Sequence, residues 1–460
     1  MIQLCRKDKE KVYQAICSGK IDAADMAFPN LIDDIILSMK RHGLLELLSH
    51  AIEDKRRDNH HIPFDILLAL AVTAKLKIKT SLTDVPFAVN DAQLLAELGW
   101  NVWDSERDVN EGLFSENVMR KLLAKYSSGE WVSFYNDYVQ KQLMEKMNIR
   151  PGIHILDCTK IPVNLQNENY ENSSVVRIDG EAVRGYKLGV LRGIVEDSGI
   201  AEEIVFGTLK AHDLELYRDM LKTTPCLKEN DILINDRGFL SRDMINYLKT
   251  ERKVDTYIPA RENMTIFQDA VSLAQKAGKW QKHPNRKRKD QEIQLVTGLG
   301  ALWQGDGSGQ DVPVNACVVH DKKTDEFFVF MTTDTERTAR QIINTYELRP
   351  EIEEDFRQMK DFWKLTDFKS TQYNYITYHI VMTLTGYIYF QIYKNMEEGK
   401  AYVGKSLPVV VKNYKETRPK SVVIYSGQYF GIFPFLEFLQ LYAECTLEVR
   451  QLLDPILAKV

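Results

Sequence analysis

Three acids carry the chemistry that this sequence offers: Asp157, Asp236 and Glu353. Carboxylates brought side by side repel, and one of them takes up a proton unless a cation intervenes. Hard oxygen donors with positions left for water suit Mg²⁺ or Mn²⁺. A pair of such ions can activate an attacking oxygen and stabilise a leaving one in an in-line displacement at phosphorus. Cations stand close to Glu353 in sequence. The stretch from Tyr346 to Lys360 sets Arg349, Arg357 and Lys360 among acids, and from Pro350 onward it reads as a helix. Proline suits the first helical position, and acids follow in the first turn, where the helix dipole favours them. Ile352, Phe356 and Met359 recur at helical spacing as an inward stripe, whereas Glu353, Arg357 and Lys360 share another face. A carboxylate flanked by two cations on one rigid face could hold a metal and grip phosphate together. A solvated charged helix has the same composition, so the reading depends on what else in the chain can reach Glu353.

The elements around the other two acids are strands. From Gly152 the apolar period becomes two, and Ile153 to Asp157 reads as a strand with its acid near the end. Tyr186 to Val195 and Ile200 to Gly207 read as two more, joined by a hairpin turn at Asp197-Ser-Gly. A helix is expected from about Asp213, with His212-Asp213 as its capping start. Asp231 to Asp236 is a short buried-type strand that Arg237-Gly238 breaks. Ser241 is a good N-cap for a helix to Glu251, and Thr256 to Ala260 is the next strand. Three strands, helix, strand, helix, strand is the order of an RNase H-like α/β domain, a mixed sheet with strand order 3-2-1-4-5. In such a sheet the first and fourth strands are parallel neighbours, so Asp157 and Asp236 lie side by side, and Glu353 comes from a helix beyond the fifth. The domain is expected over residues 149–395, interrupted by a β-rich insertion at about 262–333. The insertion carries the basic residues Arg286, Lys287 and Arg288, a backbone clamp in a DNA enzyme, and a glycine-rich hairpin turn at Gly305-Asp-Gly-Ser-Gly.

The rest of the chain bounds the class. Residues 1–148 read as an all-helical region of short helices and tight turns, with Trp131 to Met147 leading into the next domain. A helix-turn-helix-like, DNA-binding module is one reading and a generic helical bundle the other. Residues 396–460 form a tail with a strand at Ser421 to Tyr425 and an amphipathic helix from Phe435 to Leu453. The 460 residues are 44% hydrophobic and 27% charged, ordinary for a globular protein. The net charge of −5 argues against indiscriminate coating of nucleic acid but leaves room for a local basic groove. Six scattered cysteines without a C-x-x-C pair fit a reducing compartment and not a structural zinc site. The first residues lack the apolar core of a signal peptide, and the most apolar late stretch, His379 to Tyr393, is too broken to span a bilayer. A cytoplasmic protein is expected.

Tyr346, Arg349, Glu353 and Lys360 match a Y-x2-R-x3-E-x6-K pattern at every position, and in this the chain resembles the IS4-type DDE transposases. Asp157-Cys-Thr resembles the first acidic motif of that family and Asn235-Asp236-Arg237-Gly-Phe239 its second. The resemblance covers roughly residues 150–395, and the intervals between the acids leave room for the β insertion that the family carries. Pro350 departs from the pattern by starting the helix afresh, so Tyr346 and Arg349 need not share a face with Glu353. The resemblance implies an insertion-sequence transposase whose Asp157, Asp236 and Glu353 bind two Mg²⁺ or Mn²⁺ ions. Water would cut the transposon end, and the freed 3′-OH would attack the opposite strand or target DNA. Arg349, Lys360 and Tyr346 would contact phosphates at the cut end, with Arg237 a further candidate and Trp303 a possible stacking platform for a flipped base. The implied partners are double-stranded DNA, as terminal inverted repeats and target, and a second copy of the chain in the DNA complex; the bacterial nucleoid is the implied place of action. A nuclease without strand transfer and a domesticated, non-catalytic DNA-binding protein are the alternatives.

Overall fold

In the computed structural model, residues 3, 4, 6–27, 30–57, 62–89, 92–100, 102, 103, 113–195, 198–299, 312–413 and 421–457 are described. Trp303, Gly305, Gly307 and Gly309 lie outside them. The chain divides into two compact units, Tyr135–Gln358 and a second that combines Met1–Phe134 with Met359–Val460.

The first unit is built on a ten-stranded mixed sheet. In chain order its main elements are β1 (Ile153–Val163), β2 (Glu181–Val195), β3 (Ser198–Thr208), α1 (Asp213–Thr223), β4 (Ile232–Asn235), α2 (Arg242–Thr250), β5 (Asp255–Pro259), α3 (Thr265–Ala277), β6 (Gln291–Leu299), β7 (Val314–Asp321), β8 (Glu326–Thr332) and α4 (Ala339–Tyr346). Helix α5 (Pro350–Asp361) follows. β1 pairs antiparallel with β2, and β2 antiparallel with β3. On its other side β1 pairs parallel with β4, and β4 parallel with β5. The segment after β5 does not form a sheet of its own. β8 pairs antiparallel with β5, and β7 and β6 continue outward, so the row of donors and acceptors on β5 is satisfied. Period-two alternation sorts the faces. Leu156 and Leu191 turn toward α1, α2 and α3 and form one core with Tyr217, Met220, Leu248 and Ile266. Ile155 and Asp157 turn the other way. Ser241 caps α2 by accepting from the Met244 amide, and His212 caps α1 by accepting from that of Leu214.

The second unit departs from an all-helical N-terminal region. Ala23–Ala27 is a strand that pairs antiparallel with Ser421–Ser426. The tail strand Tyr429–Pro434 pairs with both Ser421–Ser426 and Arg6–Lys7, closing a four-stranded sheet. The segment after it forms two helices, Phe435–Glu444 and Leu447–Leu457, instead of one. Helix Tyr373–Asn395 is buried almost all round and packs against helix Phe64–Leu76. Among the described residues no helix is long and apolar enough to cross a membrane.

Candidate active site

The register of the sheet sets two of the acids. Leu156 lies opposite Asn235 in the parallel β1/β4 ladder, so the next residue on each strand, Asp157 and Asp236, stands level with the other. β4 stops at Asn235, and Asp236 takes the N-cap position of a single turn, Arg237–Phe239. β1 is held from behind at the same point. The Tyr217 hydroxyl donates to the Asp157 carbonyl at 2.9 Å. Gly189, paired with Cys158, leaves the space for that phenol: a Cβ there would lie 1.7 Å from the Tyr217 oxygen.

The third acid comes from α5. The chain leaves α4 at Tyr346, makes a turn closed by the Arg349 amide on the Tyr346 carbonyl, and restarts as a helix at Pro350. The restart puts the Arg349 side chain on the acids. Its guanidinium lies 2.9 Å from the Asp157 carboxylate, 3.6 Å from that of Asp236 and 2.6 Å from that of Glu353. One cation thus joins three carboxylates from two strands and a helix. Burial pushes the Asp157 carboxyl up to about 6; Arg349 pulls it down, and the charges of Asp236 and Glu353 push it up again. Burial would lower the Arg349 pKa, but the Asp157 and Asp236 charges outweigh it and raise it further. The raised Asp157 pKa therefore reports burial first, with Arg349 the largest charge acting against it. Among the described residues no group of three or more acidic, His or Cys side chains stands close enough, as arranged, to hold a metal ion. The three carboxylates converge instead on the single Arg349 cation, and hard oxygen donors of this kind are the class that suits Mg²⁺ or Mn²⁺.

A family model described as the transposase DDE domain matches residues 155–388, which takes in all three acids. The chain belongs to that family. No curated protein matches it.

The DDE domain also positions the remaining sequence candidates. Tyr346 packs its ring on Phe330 with centroids 4.7 Å apart, and burial raises its phenol pKa. Arg237 is exposed, and its backbone carbonyl accepts from Arg261 at 2.9 Å. Arg288 reaches Glu347, in the same turn as Arg349, at 3.0 Å, whereas Arg286 and Lys287 point to solvent. Lys360 is half-buried in the last turn of α5. Trp303 lies outside the described residues.

Two further charge clusters form around buried centres, His154 and Arg192. His154 bonds Glu202 through Nδ1 at 2.6 Å and Asp231 through Nε2 at 3.3 Å, which ties the starts of β1 and β4 together. Arg192 on β2 pairs with Glu351 and Asp355 of α5. The signal for both was a charged residue inside an apolar strand, His154 between Ile153 and Ile155 and Arg192 after Leu191.

Proposed function

We propose that this member of the transposase DDE family is an insertion-sequence transposase of the IS4 type. On this reading it hydrolyses a phosphodiester at each transposon end and joins the freed 3′-OH to target DNA. The observation that carries the reading is the convergence of Asp157, Asp236 and Glu353 on one guanidinium, inside the segment that the family model matches. The neighbours of β1, with β2 and β3 on one side and β4 and β5 on the other, support an RNase H-like domain.

Asp157, Asp236 and Glu353 would hold Mg²⁺ or Mn²⁺, which when bound supplies Lewis acidity to the attacking and leaving oxygens. Arg349 holds the three carboxylates in register, and its fork of donors also suits a phosphate oxygen. Lys360 lies two helical turns beyond Glu353, about 10 Å along α5, and would meet the backbone further from the cut. Arg286, Lys287 and the other exposed cations of the loop before β6 would add phosphate contacts, and Arg288 ties that loop to Glu347 in the turn before α5. Tyr346 and Arg237 border the same turn and would add phosphate contacts. Double-stranded DNA is the partner, and two copies of the chain would hold the two ends.

The test is cleavage of a labelled duplex that carries the element's terminal inverted repeat, in Mg²⁺, by wild type and Glu353→Gln. Cutting at the repeat boundary by wild type alone supports the reading. Binding without cutting by wild type points instead to a non-catalytic DNA-binding role, and cutting that survives in Glu353→Gln removes Glu353 from the site.

A further inference from the structure

Arg192 is the most deeply buried arginine near the site, at 4% exposure, and takes no part in the chemistry proposed above. It lies on β2 opposite Ile155, and Val190 lies opposite Asp157. Alternation therefore turns Arg192 and Asp157 to the same face of the sheet, one pleat apart. Its Nε donates to the Asp355 carboxylate at 2.5 Å, and its Nη1 lies 3.1 Å from that of Glu351 as a charge contact without a hydrogen bond. Glu351 and Asp355 are one helical turn apart on α5, so both belong to one face. Glu353 sits midway between them and projects from the opposite side, since two residues turn a helix through about 200°.

The space for this arginine is built into the backbone. A Cβ on Gly199 would lie 2.1 Å from Arg192 Nε and 2.2 Å from its Cζ, so any larger residue on β3 would displace the guanidinium. A bulge sits at the same place. Leu191 pairs with Glu203 and Arg192 with Ala201, which leaves Glu202 as the extra residue. Bulges re-aim side chains next to functional sites.

The apolar stripe of α5, Ile352, Phe356 and Met359, is buried. Apolar burial is non-directional, so it sets the roll of a helix less sharply than a paired charge does. Ion pairs from a buried arginine are directional, and leaving that arginine without partners is costly. Arg192 grips α5 on the flank away from Glu353, and Arg349 grips the flank that carries it.

We propose that Arg192 is a positioning residue that fixes the roll of α5 and thereby aims Glu353 at Asp157 and Asp236; its link to catalysis rests on the transposase reading above. The experiment uses the full chain with Arg192→Gln, Arg192→Lys and Asp355→Asn. Three quantities are measured: hydrogen exchange of the α5 amides without metal, the Mn²⁺ dissociation constant by calorimetry, and kcat and KM for cleavage of a repeat-end duplex. In Arg192→Gln the α5 amides should exchange about tenfold faster while those of β4 stay unchanged, because the loss is confined to one element. Mn²⁺ affinity should fall about tenfold and kcat by about a hundredfold with KM within twofold, since a misplacement near 1 Å costs about that much. Arg192→Lys should recover part of each loss, and Asp355→Asn should show the same pattern at smaller size. Unchanged α5 exchange and Mn²⁺ affinity in a folded Arg192→Gln would overturn the proposal, as would a rise in KM with kcat preserved. Should Arg192→Gln not fold, Asp355→Asn decides by the same criteria. Wild type that neither binds Mn²⁺ nor cuts DNA sinks the transposase reading, while the exchange of α5 still reports whether Arg192 holds the helix.

Discussion

Asp157→Asn is expected to stabilise the metal-free protein, and to do so only where Asp157 would be charged. The Asp157 carboxyl titrates at about 6 in the fold, against an ordinary 3.8, because burial outweighs the pull of Arg349. A carboxyl whose folded pKa is raised favours the fold in its protonated form. That contribution is fully present below pH 3.8 and is lost as pH rises through 6. A gap of about two units corresponds to about 3 kcal/mol at pH 7.5, and to between about 1 and 2 kcal/mol at pH 5. Asparagine keeps the shape of the side chain, and its amide oxygen can still accept from the Cys158 amide, as the Asp157 carboxylate does at 2.7 Å. β1 is paired on both edges from His154 to Leu156, so its slowest amides there exchange when the whole unit opens. In a chelator, those amides should be about a hundredfold better protected in the variant at pH 7.5, and about tenfold at pH 5. Comparing the two proteins at one pH cancels the intrinsic exchange rate. Equal protection at both pH values, or poorer protection of the variant at pH 7.5, would mean that Arg349 fully neutralises the acid and that the site carries no electrostatic strain.

Other perturbations follow from the same charges. Mn²⁺ at a hundred times its dissociation constant should stabilise wild type by about 3 kcal/mol and leave Asp236→Asn unmoved, as read from denaturation in each condition. Arg349→Gln should lower the protection of β1 at pH 7.5, where three carboxylates then face each other, and Mn²⁺ should restore it; no rescue by the ion would mean that arginine and metal do not share a place. His154 is expected to act in the same direction at higher pH. Burial lowers its pKa, but the Glu202 charge and the hydrogen bonds to Asp231 and Glu202 outweigh this and raise it from 6.5 to about 9. Its contribution is therefore complete below pH 6.5 and lost as pH rises through 9. Urea denaturation of His154→Gln should show lower stability at pH 6 and should lack the wild-type decline between pH 7 and 9.

What could be read from the sequence was local. The strands that bring in Asp157 and Asp236, and the helix that restarts at Pro350, announce themselves by period and by turn chemistry. The strand Ala23–Ala27 did not, because alanine and methionine favour helix and its pairing partner, Ser421–Ser426, lies at the other end of the chain. Periodicity is equally silent on which strand edge meets which, so the extension of the sheet through β8 on β5 was not legible. The family resemblance implies Arg349 as a phosphate contact, but its three carboxylate partners depend on the turn that Pro350 imposes. Arg192 gave only half a signal. An arginine inside an apolar strand demands a buried acid, and nothing in the sequence says that two acids on α5 supply it.

The choice of arginine for both clamps has a mechanical consequence. Three carboxylates turned toward one point would drive β1, β4 and α5 apart. A lysine could answer one or two of them, whereas the planar fork of a guanidinium can meet several at once from a partly buried position. Arg349 does this from the turn that precedes α5, and Arg192 does it from a strand whose register is fixed along its length by β1 and β3. Only the first of these cations shares the place a metal would take. On the transposase reading, a divalent ion held by the three acids would take over the charge of Arg349 and would leave the contacts of Arg192 with Glu351 and Asp355 in place. On that reading the separation would let the electrostatic cost of gathered acids vary with metal and pH without loosening the helix that delivers the third one.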